Sequence, residues 1–148
     1  MDIGVYDETL PLDFIVDPAE TKMFEGLSDP YYLEKEPMLY HNHGLSGTLE
    51  AFNANKELST MFMATSTSTD PEKGVAFVTT MESRQYPFYG VLFHPEKVLS
   101  HYMSDKINHS WQSIMYNRFF ADRFVQLARQ NTNSCGDFLS CEALMVEQ

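Results

Sequence analysis

The chain contains 148 residues, which is enough for one domain with a single hydrophobic core. Its composition, 43% hydrophobic and 21% charged, is that of a globular protein and excludes a disordered chain, and no stretch has the apolar length of a membrane span. A net charge of −11 argues against a basic face for phosphate binding, so we expect no nucleic acid as a partner. Because no stretch is long and apolar enough to span a membrane, we expect no membrane as a partner either.

The first half of the sequence predicts short strands, loops and little helix. A strand is expected over residues 10–16, and a loop rich in acidic residues is expected over residues 24–36. The apolar residues 37–40 predict a strand that delivers His41 at its end. Residues 48–62 are expected to hold one or two helical turns.

The second half predicts a hairpin, a buried strand and a long helix. Residues 61–67 and 74–81 are predicted to pair as two strands. Residues 86–93 have apolar side chains on both faces, which predicts a strand that is covered on both sides. Apolar residues at helical spacing predict a helix over residues 108–131. Strands followed by a covering helix indicate the α/β class.

The residues best suited to chemistry follow that buried strand, in the sequence Phe93-His94-Pro95-Glu96-Lys97. Reactive groups of open α/β sheets gather at the carboxyl ends of strands. Proline interrupts the strand and turns the chain, so that Glu96 can return beside the imidazole of His94. A carboxylate there would stabilise the imidazolium and leave the other ring nitrogen to accept a proton from a nucleophile. The alternative is a structural histidine that caps the strand.

Residues 86–96, of sequence YPFYGVLFHPE, resemble the segment that supplies the His and Glu of class I glutamine amidotransferase domains. Within that superfamily the chain resembles the γ-glutamyl hydrolases. The stretches that carry this narrower resemblance are residues 10–14 (LPLDF), 41–46 (HNHGLS), 80–82 (TME) and 107–110 (INHS), together with Lys97. The resemblance implies an α/β fold, namely part of a class I glutamine amidotransferase-like (flavodoxin-like) three-layer domain with a mixed sheet and covering helices.

The same resemblance implies a role for three residues. His94 would be the general base and acid, Glu96 would orient it, and His41 would line the substrate cleft. The implied reaction removes γ-linked glutamates from folate poly-γ-glutamates through a thioester, with no metal and no organic cofactor. The family is vacuolar, lysosomal or secreted, whereas residues 1–8 lack a signal-peptide pattern and predict the cytosol if Met1 is the true start.

The family's cysteine nucleophile has no counterpart in this sequence. The family places it in a Gly-x-Cys-x-Gly elbow upstream of the histidine, whereas Cys135 and Cys141 lie downstream of it and are predicted to be peripheral. These two cysteines could bridge. Residues 44–48 come one position short of a serine elbow and are predicted to form a turn. His41 and His43 could be two metal ligands, but no further ligand pattern accompanies them.

We therefore predict that residues 1–148 form a single truncated domain, the C-terminal half of a γ-glutamyl hydrolase, with residues 132–148 as a peripheral tail. Such a chain would be inactive alone and would form an oligomer or need a complementing chain. One alternative is a non-catalytic binding or assembly protein derived from the same fold. A weaker alternative is the glutaminase part of an amidotransferase.

Overall fold

Two antiparallel sheets form the scaffold of the computed structural model, which describes residues 3–143. Within these residues the strands are β1 (Val5–Leu10), β2 (Asp13–Phe14), β3 (Leu39–His43), β4 (Phe62–Thr69), β5 (Ala76–Ser83) and β6 (Tyr89–Val91). β1 pairs with β3 in one sheet, and the second sheet has the order β2-β4-β5-β6. Helices pack against both, which confirms the α/β class.

Most of the helices are short. They are α1 (Tyr32–Lys35), α2 (Leu49–Ala54), α3 (Lys56–Met61), α4 (Lys97–Ser100), α5 (Trp111–Ala128) and α6 (Phe138–Glu142), with a 3-10 turn at Pro18–Glu20. The long helix α5 begins where the Ser110 hydroxyl accepts the Ser113 N–H at 3.2 Å, as an N-cap should. No helix within residues 3–143 is both long and apolar enough to cross a membrane.

The predicted hairpin is confirmed in β4 and β5. Asp70 holds its turn, because the Asp70 Oδ1 accepts the backbone N–H groups of Glu72 at 2.8 Å and Lys73 at 3.1 Å. Hydroxyl groups lie inside the hairpin, where Thr80 Oγ1 is 2.6 Å from Thr65 Oγ1 and 2.5 Å from Ser66 Oγ. These buried polar groups therefore satisfy one another.

Two predictions for the first half were wrong in detail. The strand expected over residues 10–16 is split, since β1 ends at Leu10 and β2 begins at Asp13. Pro11 lies at the break and has no N–H for a ladder, so the chain leaves one sheet there and enters the other. The loop expected over residues 24–36 contains the one-turn helix α1, which the fully buried Leu33 anchors.

The main hydrophobic core lies between the first strands and α5. It consists of Leu12, Met23, Phe24, Leu33, Met38, Leu39, Phe93 and Phe120. A smaller cluster around Phe77 fills the space behind β1, and a third joins Tyr40 to Val98 and Ile107. Phe124 lies one helical turn beyond Phe120 on nearly the same side of α5 and is 69% exposed, so the apolar side of α5 continues beyond the core.

The strand expected over residues 86–93 is shorter and less covered than predicted. β6 contains three residues and is the last strand of its sheet. Tyr86 and Phe88 are each 55% exposed, so the prediction of cover on both sides is wrong for the part of the chain described. An apolar pattern indicates which side chains avoid water, but within residues 3–143 these two rings contact each other, with 5.8 Å between their centroids, and both remain largely exposed.

The prediction for the tail concerns residues 132–148, of which 144–148 lie outside the described residues. The described part contains α6, which begins where the Asp137 Oδ1 accepts the Ser140 N–H at 2.9 Å. The assignment of one domain with a peripheral tail stays a prediction.

Candidate active site

The His94 and Glu96 side chains form the hydrogen bond that the sequence predicts. His94 Nδ1 donates to Glu96 Oε1 at 2.9 Å. Pro95 turns the chain between them, and α4 begins directly afterwards at Lys97, with the buried Val98 holding it in place. His94 lies three positions beyond the end of β6, so the turn rather than the strand itself positions the pair.

The second nitrogen of His94 faces the backbone of β3. His94 Nε2 lies 3.4 Å from the Asn42 carbonyl oxygen, and the His94 N–H donates to the Tyr40 carbonyl oxygen at 2.8 Å. A protonated imidazole can donate to Glu96 and to this carbonyl at once, whereas a neutral one cannot. The exposed fractions of the side chains are 34% for His94 and 64% for Glu96, so solvent reaches both.

The Tyr40 ring forms a wall beside His94, with 6.3 Å between the ring centroids. The Tyr40 hydroxyl donates to Asp7 Oδ1 at 2.9 Å, and the Ser104 hydroxyl donates to the same oxygen at 2.6 Å. Burial, with the Asp7 carboxylate as a further cause, raises the pKa of Tyr40 to about 12. The hydroxyls of Ser104 and then Tyr40 lower the pKa of Asp7. Tyr40 is therefore a neutral, fixed phenol.

A second pair of histidines lies inside β3. His41 Nδ1 is 3.2 Å from His43 Nε2, and His41 is fully buried, with its ring edge-on to those of Phe77 and Phe93. Burial, followed by the neighbouring His43 and His94, lowers the pKa of His41 to about 3. Burial and then His94 also lower the pKa of His43. Both rings are therefore neutral at physiological pH.

Comparison with known proteins identifies several γ-glutamyl hydrolases as relatives. The chain is 31% identical to human γ-glutamyl hydrolase over 130 residues, which are 86% of this chain and 40% of the human protein. It is 27% identical to γ-glutamyl hydrolase B of Dictyostelium discoideum over 139 residues, or 92% of this chain and 40% of that protein. This chain belongs to the γ-glutamyl hydrolase family.

Family membership brings with it the class I glutamine amidotransferase-like fold. A further relative is γ-glutamyl hydrolase 2 of Arabidopsis thaliana, 32% identical over 96 residues that are 65% of this chain and 27% of that protein. No protein-family model matches the chain. The chain spans about two fifths of the length of the human and Dictyostelium relatives, so the activity of the full-length proteins is a proposal for this chain.

The structure brings His41 into β3 rather than to the end of a strand, because β3 runs from Leu39 to His43. His41 Nε2 is buried and has no hydrogen-bond partner within residues 3–143. The substrate-binding role of His41 in this family member stays a prediction. In the same residues no group of three or more His, Cys, Asp or Glu side chains could hold a metal ion.

Neither cysteine of this γ-glutamyl hydrolase homologue is a free thiol. Cys135 forms a disulfide with Cys141 of α6, so the bridge that the sequence allowed is present. The serine of the near-miss elbow is also occupied, because the Ser46 hydroxyl donates to the Ile3 carbonyl oxygen at 2.7 Å. No activated nucleophile therefore adjoins His94 within the described residues.

Tyr40 and Asp7 were missed by the sequence reasoning. Tyr40 stands at the end of an apolar run, where a tyrosine is an ordinary strand residue. Its partner Asp7 lies 33 positions earlier and is brought close only by the pairing of β1 with β3. No local pattern signals such a contact.

Proposed function

We propose that this chain supplies the acid–base half of a γ-glutamyl hydrolase site, which removes γ-linked glutamates from folate poly-γ-glutamates. The observation that supports the proposal is the 2.9 Å hydrogen bond between His94 and Glu96 in a member of this family. A histidine whose Nδ1 is held by a carboxylate has its Nε2 available as a base, which is the arrangement that thiol hydrolysis needs.

The proposed reaction uses His94 twice. His94 Nε2 takes the proton of a cysteine thiol as the sulfur attacks the γ-carbonyl carbon, and then gives that proton to the leaving amine as the C–N bond breaks. A water molecule next attacks the thioester, His94 accepts its proton, and the γ-glutamyl acid leaves with the thiolate restored. Glu96 stabilises the imidazolium in both halves. The thiol comes from outside this chain, because both of its cysteines are bridged.

Recognition of an anionic γ-glutamyl chain requires local donors, since the protein has a net charge of −11. Lys97 lies next to the proposed site, with its Nζ 5.5 Å from the centre of the Tyr40 ring. We propose Lys97 as a source of positive charge and His41 as a substrate-binding histidine. His41 would take that role in the complete site, where its unpartnered Nε2 could meet a polar group.

We also propose an oxidising location for the chain, as the family resemblance implies for a vacuolar, lysosomal or secreted protein. The Cys135–Cys141 disulfide supports this proposal, because disulfides persist in oxidising compartments and are rare in the cytosol. A cytosolic chain would carry both thiols reduced. Mass spectrometry of alkylated protein from the native source would separate the two.

Glutamate release from a folate poly-γ-glutamate tests the proposed function. The purified chain alone should release no glutamate above the buffer rate, because it lacks a free thiol. The chain co-expressed with the remaining portion of human γ-glutamyl hydrolase should release glutamate, and His94→Ala should abolish this release. His101→Ala is a matched control, since His101 lies at the end of α4 and outside the pair. A complex that forms but stays inactive would favour the non-catalytic alternative.

A further inference from the structure

An apolar groove lies beside β6, with a volume of about 390 Å³. Side chains of β6, α5 and the segment before α1 line it, among them Met23, Tyr89, Val91, Phe120, Phe124 and Leu127. We call this surface the β6 groove. Glu96 also lines it, so the groove opens onto the candidate active site.

The free edge of β6 runs along this groove. Leu92 N–H donates to the Thr79 carbonyl oxygen at 2.9 Å, and Ser83 N–H donates to the Phe88 carbonyl oxygen at 2.8 Å. Bonded positions alternate in an antiparallel pair, so Tyr89 and Val91 direct their N–H and C=O groups away from β5. Within residues 3–143 no strand pairs with this edge, because β6 is the last strand of its sheet, so another strand can add there.

Asn117 provides an independent sign of a missing partner. Asn117 lines the β6 groove and is 1% exposed. Its amide nitrogen donates to the carbonyl oxygens of Met38 at 2.9 Å and Ser113 at 2.8 Å, which fixes the orientation of the amide. Asn117 Oδ1 is then left buried without a hydrogen-bond partner within residues 3–143. Buried acceptors are normally paired, so a donor from outside is expected here.

The walls of the groove are already held in place. Glu82 Oε2 accepts the backbone N–H groups of Lys22 and Met23, each at 3.1 Å, and so fixes Met23 in the lining. On the opposite side Arg123 Nε donates to the Lys22 carbonyl oxygen at 2.8 Å, and the Arg123 guanidinium pairs with Glu25. A preformed groove binds a partner without a large cost of ordering.

We propose that the β6 groove docks an extended apolar segment of a γ-glutamyl hydrolase polypeptide, taken from the portion that this chain does not match. The segment adds a strand at the free edge of β6 and donates a hydrogen bond to Asn117 Oδ1. This inference rests on the proposed function, because the same portion supplies the nucleophile beside Glu96. The human relative contains such an unmatched portion, since the match to this chain covers 40% of the human protein.

A second copy of this chain is the less suitable occupant. It would carry another net charge of −11, so the two copies would repel each other over their whole surfaces. It would also bring the same bridged cysteines, so the site next to Glu96 would still lack a nucleophile. The unmatched portion of a relative would supply the nucleophile that the proposed function requires.

Co-purification tests the docking without relying on activity. The full chain is co-expressed with the affinity-tagged unmatched portion of human γ-glutamyl hydrolase, and the recovered complex is quantified. A one-to-one complex is expected, and both Val91→Pro and Phe124→Asp should lower its recovery by at least about tenfold. Val91→Pro removes an N–H from the free edge and none from the β5 ladder. Trp111→Asp is the control, because Trp111 is equally exposed on α5 but does not line the groove.

The outcomes separate docking from function. Circular dichroism of each variant verifies that it is folded, and His94→Ala should co-purify as well as the wild type. Undiminished recovery with both groove variants would overturn the proposal. The proposal would also be overturned if this chain forms no complex while, in a parallel experiment, the portion of human γ-glutamyl hydrolase that matches this chain recovers the unmatched human portion. A homodimer in sedimentation that Phe124→Asp dissociates would also overturn it, in favour of a second copy.

Discussion

Two hydrogen-bonded side-chain pairs within residues 3–143 of this protein contain histidine, namely His94 with Glu96 and His41 with His43. The distances within the two pairs are similar, but solvent reaches the first pair and His41 of the second is buried. His94 is 2.9 Å from a carboxylate, and 34% of its side chain is exposed. His41 is 3.2 Å from another imidazole and is fully buried between aromatic rings. The two histidines lie on neighbouring segments of the fold, but their surroundings differ. A proton on His94 would lie beside a carboxylate, whereas a proton on His41 would lie beside a second imidazole and aromatic rings.

That difference teaches that the partner and the burial of a histidine, more than its contact distance, decide what it can do. A carboxylate stabilises the imidazolium, whereas a second imidazole and a dry environment oppose it. The pair of His94 and Glu96 is therefore suited to proton transfer. The pair of His41 and His43, in which both rings are neutral, is not suited to it. Four predictions, made with three substitutions, can break or sharpen this distinction.

The largest effect is expected from Glu96→Gln in the active two-chain complex. The amide cannot stabilise the imidazolium and favours the wrong tautomer of His94, so kcat/KM should fall by about 10³–10⁴-fold. Steady-state glutamate release measures this change, with Glu57→Gln on α3 as the control. A rate within twofold of the wild type would show that Glu96 does not orient His94.

The next largest effect is expected when the aromatic ring that contacts both His41 and His43 is removed. Phe77 is fully buried, and its ring centroid lies 5.5 Å from that of His41 and 5.3 Å from that of His43. Phe77→Ala should lower the free energy of unfolding by about 3–5 kcal/mol, because it leaves a cavity. Urea denaturation measures the loss. Phe124→Ala, a truncation of the same size at an exposed site, should cost far less.

The third effect is a dependence of stability on pH. The pKa of His41 is about 3 in the folded protein, below its ordinary value of 6.5, so the unfolded chain binds the proton more tightly. This contribution to stability is fully present above pH 6.5 and is lost as the pH falls toward 3, at about 1.4 kcal/mol per pH unit. His43 acts in the same direction.

Unfolding free energies measured between pH 4 and pH 7 test this slope. His41→Gln should flatten it, because glutamine does not titrate. His101→Gln, outside both pairs, should leave it unchanged. Equal slopes in the wild type and His41→Gln would mean that His41 is not the buried group responsible.

The smallest effect should come from Glu96→Gln on stability rather than on rate. An exposed ion pair contributes about 0–1 kcal/mol to folding, and the Glu96 side chain is 64% exposed. The free energy of unfolding at pH 7 should therefore change by less than about 1 kcal/mol. A larger loss would indicate that the pair is structural, as the alternative interpretation of His94 holds.

The sequence predicted what depends on neighbours along the chain. The contact between His94 and Glu96 follows from the proline between them, and the hairpin of β4 and β5 follows from the turn residues around Asp70. The burial of His41 was not predictable, because it depends on Phe77, which is distant in sequence and contacts His41 from another strand.

The strand around β6 shows the same limit of sequence-based prediction, here in a prediction of burial that was wrong. Its apolar side chains on both faces, such as those of Phe88 and Val91, predict burial, yet a pattern cannot name the residues that would supply the cover. The α/β class and the resemblance to the γ-glutamyl hydrolases survived this error, because they rest on the order of elements and on several short motifs along the chain.

The irregular start of β1 has a consequence for how this fold can change over evolution. Asp7 adopts the left-handed conformation, with φ of 52°, where the register of β1 against β3 shifts between Val5 and Glu8. This bulge aims the Asp7 carboxylate at Tyr40 and so sets the wall beside His94. A one-residue deletion there would restore a regular ladder and withdraw that carboxylate. Selection on the chemistry of His94 would therefore act on the length of β1, a strand with no part in that chemistry.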